Sequence, residues 1–204
     1  MRCSRCRTTL YCSPDCQAAD WAAHKSSCIP STVRGMVIYC DVARERSRNH
    51  ELFEPVDINA SDPIRRGSGG ERAPISELIG VPLVLYRHIR EPSFEREKAG
   101  PPNAPLDNQA ATYLMIGEDG WAPEAWQEQV GTVTVMRKDG KPLTKASIET
   151  IWKYHCHLIN KFNIHPILAQ QQMNPADFVR FCRSYKVEQV RDGREDFRDI
   201  DIPL

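Results

Sequence analysis

The stretch CSRCRTTLYCSPDCQAADWAAHKSSC, Cys3 to Cys28, gathers five cysteines and one histidine near the start of the chain. So short a segment cannot bury an apolar core, and at this size a metal ordinarily supplies the stability instead. The ligand count is uneven. A structural zinc takes four Cys or His ligands in a tetrahedron, so Cys3, Cys6, Cys12, Cys16, His24 and Cys28 make one full site with two ligands over.

Spacing sorts the six into pairs. Cys3 and Cys6 form a CxxC knuckle, in which two thiolates one tight turn apart grip the same ion. Cys12 and Cys16 bracket Ser13 and Pro14, which read as the N-cap and first residue of a helix carrying Cys16 on its first turn. His24 and Cys28 stand in i,i+4 relation near the far end of that helix and can share an ion.

The string YCSPDCQAADWAAHKSSC, preceded by CSRC, resembles the second half and more of a MYND-type zinc finger. That family carries two interleaved sites, the first and third ligand pairs holding one zinc and the second and fourth the other. The resemblance implies that Cys3, Cys6, His24 and Cys28 form a complete Cys3His site, and that Cys12 and Cys16 are half of a second. The family's first CxxC pair is missing from this sequence, which implies a natural chain that starts further upstream. A lost site, or completion by Cys40 or another distant ligand, are the alternatives. In similar fingers a shallow surface beside the helix takes short proline-containing peptides in extended conformation. The matching positions are Ser4, Gln17 and Trp21, where an indole platform and a side-chain amide suit an extended ligand.

The remaining length suffices for one ordinary domain. At 204 residues with 41% hydrophobic and 26% charged, the chain is expected to fold beyond the finger. Lysine plus arginine equals aspartate plus glutamate at 27 each, so no basic field draws it to nucleic acid as a main partner. The run RERSR, 44 to 48, reads as a solvated surface or a nuclear address. No apolar stretch follows the first charges, and runs such as VPLVLY are too short to span a bilayer. The expected setting is intracellular, cytoplasmic or nuclear, with reduced cysteines; Cys40, Cys156 and Cys182 are expected to serve as small buried apolar groups.

The chain divides into residues 1–28 as finger, 29–76 as a strand and polar linker, 77–190 as an α+β domain, and 191–204 as a charged tail. VRGMVIY (33–39) has strand composition, IRRGSGGERAP reads as a linker, and a strand is expected near Val81 to Ile89. AGPPNAPLDN is proline-rich and irregular. ATYLMI reads as a strand, and GTVTVMRKDGKPLT as a hairpin about Asp139-Gly140. In SIETIWKYHCHLINKF, Ile148, Ile151, Trp152, His155, Leu158, Ile159 and Phe162 recur at helical spacing. A last helix starts with Asn174 as cap and Pro175 as first residue. The carboxyl half resembles the downstream region of some fungal MYND-finger proteins, a resemblance that implies a shared domain without an activity.

No phosphate loop, nucleophile elbow or HExxH motif is present. His155-Cys156-His157 cannot all face one ion, since neighbouring helical residues point about 100° apart. MYND fingers also occur inserted in the SET domain of lysine methyltransferases, but Asn49-His50 is an isolated dipeptide here and no catalytic signature follows. The reading is therefore a zinc-stabilised protein-interaction module, an adaptor or regulatory protein rather than an enzyme. A methyltransferase-related enzyme is the alternative.

Overall fold

A computed structural model describes residues 1–25, 27–28, 30–46, 51–91 and 105–204. Parts of the 44–48 run and of the proline-rich 99–108 segment, and all of Asn49-His50, lie outside the described residues.

The finger helix α1 spans Pro14–His24, with the Ser13 hydroxyl accepting from the Cys16 amide at 3.2 Å. The sequence expected this cap, and its reason holds: Ser13 satisfies a donor that the first helical turn leaves free. The chain leaves the finger through Pro30, whose carbonyl accepts from the Arg65 guanidinium at 2.9 Å, and the Ser31 amide returns to the Arg5 carbonyl.

The second unit is α+β, as expected. Five antiparallel strands, β1 (Thr32–Ile38), β2 (Glu54–Asn59), β3 (Gly70–Arg72), β4 (Leu83–Arg87) and β5 (Val133–Arg137), lie in the order β2-β1-β5-β4-β3. One face presents Met36, Ile38, Leu83, Leu85, Val133 and Val135, all fully or almost fully buried. Ile148, Ile151, Tyr154 and Leu158 of the long helix Lys145–Phe162 join them in one core with Trp126 and Phe178. A core of this size is the main stabilising term of the domain, at roughly 25 cal/mol per Å² of apolar surface removed from water.

Four sequence expectations are corrected. Residues 29–76 are not strand plus linker, because they contribute three of the five strands, and IRRGSGGERAP folds into the short helix Pro63–Arg66 and β3. ATYLMI is not a strand: helix Gln109–Leu114 forms because the Asn108 side chain accepts from the Ala111 amide while donating to the carbonyls of Ile38 and Gly131. Alanine and leucine at these positions favour a helix once its cap is anchored.

The Asp139-Gly140 turn forms without a returning strand. Gly140 takes a positive φ of 72° and Asp139 accepts two bonds from the buried Arg137. Both edges of β5 are already paired, with β1 and β4, so the chain beyond the turn crosses to β1, where the Leu143 amide donates to the Arg34 carbonyl. Nor is 191–204 a loose tail. Phe197 is fully buried with Ala146 and Ile200, and Arg194 pairs with Glu149.

Candidate metal centre

The Cys3His set that the MYND resemblance implied comes together. The ligand atoms of Cys3, Cys6, His24 and Cys28 all lie within 4.8 Å of one another, the only such group of three or more among the described residues. The Cys3 and Cys28 sulfurs are 3.8 Å apart, and the Cys6 sulfur is 3.5 Å from His24 Nε2. A tetrahedral zinc with Zn–S of about 2.3 Å and Zn–N of about 2.0–2.1 Å places its ligand sulfurs about 3.8 Å apart and a sulfur and nitrogen about 3.5 Å apart. The donor set and its dimensions therefore fit zinc.

Local backbone makes the knuckle. The Cys3 amide donates to the Thr9 carbonyl and the Arg7 amide to the Cys3 carbonyl, while Arg7 adopts a left-handed φ of 59° to reverse the chain. That turn aims donors at sulfur. The Thr8 hydroxyl bonds the Cys6 sulfur at 3.1 Å, and together with the Thr9 and Thr8 amides it pulls that thiol down to about 5. The Cys6 amide lowers the Cys3 thiol in the same way.

Cys28 behaves oppositely: burial and the neighbouring Cys3 and Cys6 sulfurs push it up to about 11. Three thiolates cannot share a buried pocket without a cation between them, and a bound metal reverses this balance by deprotonating the third thiol outright. Sequence reasoning overlooked Thr8 and Thr9. Their signal was a pair of hydroxyl residues two and three positions after the second knuckle cysteine.

Aromatic side chains shield the centre. Trp21 and Tyr11 pack against the cysteine cluster and approach the His24 ring edge-on, with centroids 6.2 and 6.0 Å away. The Tyr11 hydroxyl donates to Asp20 at 2.7 Å. Ser4 and Gln17, predicted alongside Trp21 for peptide contact, are bonded to each other, Gln17 Nε2 to Ser4 Oγ at 3.3 Å.

Cys12 and Cys16 are exposed, with no third metal-ligating side chain grouped with them among the described residues. The Cys12 sulfur beside it lowers the Cys16 thiol. Cys40, weighed as a distant ligand, is buried in the second unit, as is Cys182, while Cys156 is half-buried. Burial raises the Cys182 thiol to about 12 and the Cys156 thiol as well, which suits inert packing groups. His155 lies wholly in the core and His157 stacks on Tyr154, so the histidine pair forms no second metal site.

A capped helix, a CxxC knuckle and a Cys3His tetrahedron define a small structural zinc finger joined to an α+β unit. Residues 1–28 match the profile of the MYND finger, and the finger is of that kind. Tudor domain-containing protein 1 of Mus musculus is 24% identical over 208 residues, covering 90% of this chain and 18% of that protein. Its Danio rerio namesake is 31% identical over 87 residues, 43% of this chain and 6% of that one. N-lysine methyltransferase SMYD2 of Homo sapiens is 30% identical over 80 residues, 39% of this chain and 16% of that protein. The chain thus spans less than a fifth of the length of these relatives. No solved structure matches it.

Proposed function

We propose that the chain is an adaptor whose zinc finger docks proline-containing protein segments on the surface formed by Ser4, Gln17 and Trp21. The observation that carries this reading is the Gln17–Ser4 hydrogen bond, one helical turn from Trp21. Gln17 and Trp21 are i,i+4 neighbours on one face of α1, and both remain partly exposed. An extended proline-rich segment loses little entropy on docking, its rings can lie on the indole, and its backbone can exchange hydrogen bonds with the Gln17 amide.

Zinc here is structural: four protein ligands leave no open position for a reacting water. One ion per chain is the count that the described ligands support. Three thiolate ligands and buried thiols suit a reducing, intracellular compartment, cytoplasmic or nuclear. Among the described residues no helix is long and apolar enough to cross a membrane.

Titration of the zinc-loaded chain with a proline-rich peptide, followed by intrinsic tryptophan fluorescence and calorimetry, tests the docking surface. Saturable binding that weakens in Gln17→Ala at unchanged zinc content is expected, and equal binding by that variant removes the surface from consideration. The partial match to a lysine methyltransferase favours the second reading, an enzyme that uses S-adenosylmethionine. Calorimetric binding of that cofactor distinguishes the two, because the adaptor has no use for it.

A further inference from the structure

Tyr86, His88, Glu91 and Thr134 form a continuous hydrogen-bonded relay remote in sequence from the finger. Sheet register creates it. Tyr86 of β4 stands directly opposite Thr134 of β5, and the 3-10 turn His88–Arg90 that follows β4 brings Glu91 back to both Tyr86 and His88. The Tyr86 hydroxyl donates to Glu91 Oε1 at 2.8 Å, and Glu91 Oε2 lies 2.7 Å from His88 Nδ1. His88 Nε2 lies 2.7 Å from Thr134 Oγ1. With the carboxylate keeping the proton on Nδ1, Nε2 is the acceptor and the Thr134 hydroxyl the donor.

Carboxylate, imidazole and hydroxyl in this order and at these separations are the arrangement that activates a hydroxyl as a nucleophile. One of the three bonds, His88 to Thr134, crosses between the strands, and the other two hold the His88 ring in place from Glu91 and Tyr86. The relay also borders a space. A cavity of about 230 Å³, walled by Val56, Ile58 and Ile64 with Asp62 also in its lining, reaches Tyr86, His88 and Thr134 on the sheet face opposite the long helix. Thr134 is 8% exposed, whereas the His88 and Glu91 side chains are 25% exposed, so the hydroxyl is sheltered while its base touches solvent.

We propose that Thr134 is an acyl-accepting nucleophile for small apolar esters, with His88 as its general base and Glu91 as a positioning residue. Thr134 Oγ1 bonds to the acyl carbon as its proton passes to His88 Nε2. The acyl–oxygen bond to the leaving alcohol then breaks, and that oxygen takes the proton from His88, leaving an acyl-threonine ester. General-base assistance alone contributes about 10²–10⁴-fold, so slow self-acylation is the expected behaviour.

The test incubates the zinc-loaded full chain with 4-nitrophenyl acetate and follows acetyl incorporation into the Thr134 peptide by mass spectrometry. The wild type is expected to acquire an acetyl group at Thr134, Thr134→Ser to retain it, and Thr134→Val to show none. His88→Gln should slow incorporation about 100-fold, within the range of lost base catalysis. Glu91→Ala should slow it and Glu91→Asp restore part of the rate, a rescue that a purely structural role would not give. Absence of acetyl at Thr134 in the wild type overturns the proposal. So does His88→Gln acylating at the wild-type rate, which decides the matter even if Thr134→Val fails to fold.

Discussion

The Cys6 sulfur and the Nε2 of His24 lie 3.5 Å apart although 18 residues separate them, and the Cys3–Cys28 sulfur pair closes the same tetrahedron at 3.8 Å. One ion at the centre therefore ties the knuckle to the carboxyl end of α1, through its last residue His24 and through Cys28 just beyond it. Stripping the metal should release the helix, since its buried residue is the ligand His24 and its hydrophobic stripe is weak without the cluster. Elemental analysis should find one zinc per chain. A chelator should then remove part of the helical circular-dichroism signal while the sheet domain still unfolds cooperatively. Two ions per chain, or a finger that keeps its helix without metal, would contradict this assignment.

Single-ligand variants should behave alike. Cys6→Ser or His24→Ala leaves three donors, and the affinity of the site should fall by several orders of magnitude, read by competition with a colorimetric chelator. Cys12→Ser should leave that affinity unchanged, because Cys12 is exposed and lies outside the tetrahedral group. An equal loss in Cys12→Ser would mean that the ligand set has been drawn wrongly.

Trp21 and Gln17 differ in how they meet the metal centre, since Gln17 reaches it only through a long N–H···S contact to Cys3 at 3.9 Å. Trp21 packs on the cysteine cluster, so Trp21→Ala should weaken both zinc retention and peptide binding. Gln17→Ala removes only polar contacts, at about 0.5–1.5 kcal/mol of binding, a loss of roughly 2- to 13-fold. Calorimetry with zinc measured in parallel reads both.

His155 makes stability depend on acid. Its ring is fully buried, Nδ1 donates to the Ile151 carbonyl at 2.8 Å, and Nε2 has no partner. Burial pushes its pKa down to about 4, whereas the unfolded chain takes up the proton near the ordinary 6.5. The unfolded state binds more protons between these values, so this contribution is fully present above about 6.5 and is lost as pH falls towards 4. Urea midpoints of the isolated wild type should fall across that window. His155→Met should flatten this limb, and an unchanged pH profile in that variant would rule out His155 as its source.

Phe197 tests the carboxyl segment. Its side chain is fully buried with Ala146 and Ile200, beneath the Arg194 guanidinium. Phe197→Ala should cost about 3–5 kcal/mol in urea unfolding. A change below about 0.5 kcal/mol, ordinary for a surface site, would return 191–204 to the status of a tail.

The finger was legible because its chemistry is local. Cys3 and Cys6 share a turn, Ser13 and Pro14 announce a helix, and His24 ends it with Cys28 four residues on, beyond the helix, so the ligand pairs and the helix start are properties of neighbouring residues. The helices Lys145–Phe162 and Pro175–Arg191 were legible for the same reason, through their caps and 3.6-residue periodicity. Sheet membership was not. Whether GERAP is a linker or an edge strand depends on β4 lying beside it, and whether Asp139-Gly140 ends a hairpin depends on β1 already holding that edge of β5. Register likewise set Tyr86 opposite Thr134, a juxtaposition of residues 48 positions apart that no local pattern encodes. Sequence alone determined the ligand pairs and the helices, because caps, turns and periodicity act over one or two turns of chain, while the resemblance to MYND-type fingers implied which pairs share an ion. Tertiary structure decided the strands and the relay, because backbone pairing takes its partner from wherever the fold leaves an open edge.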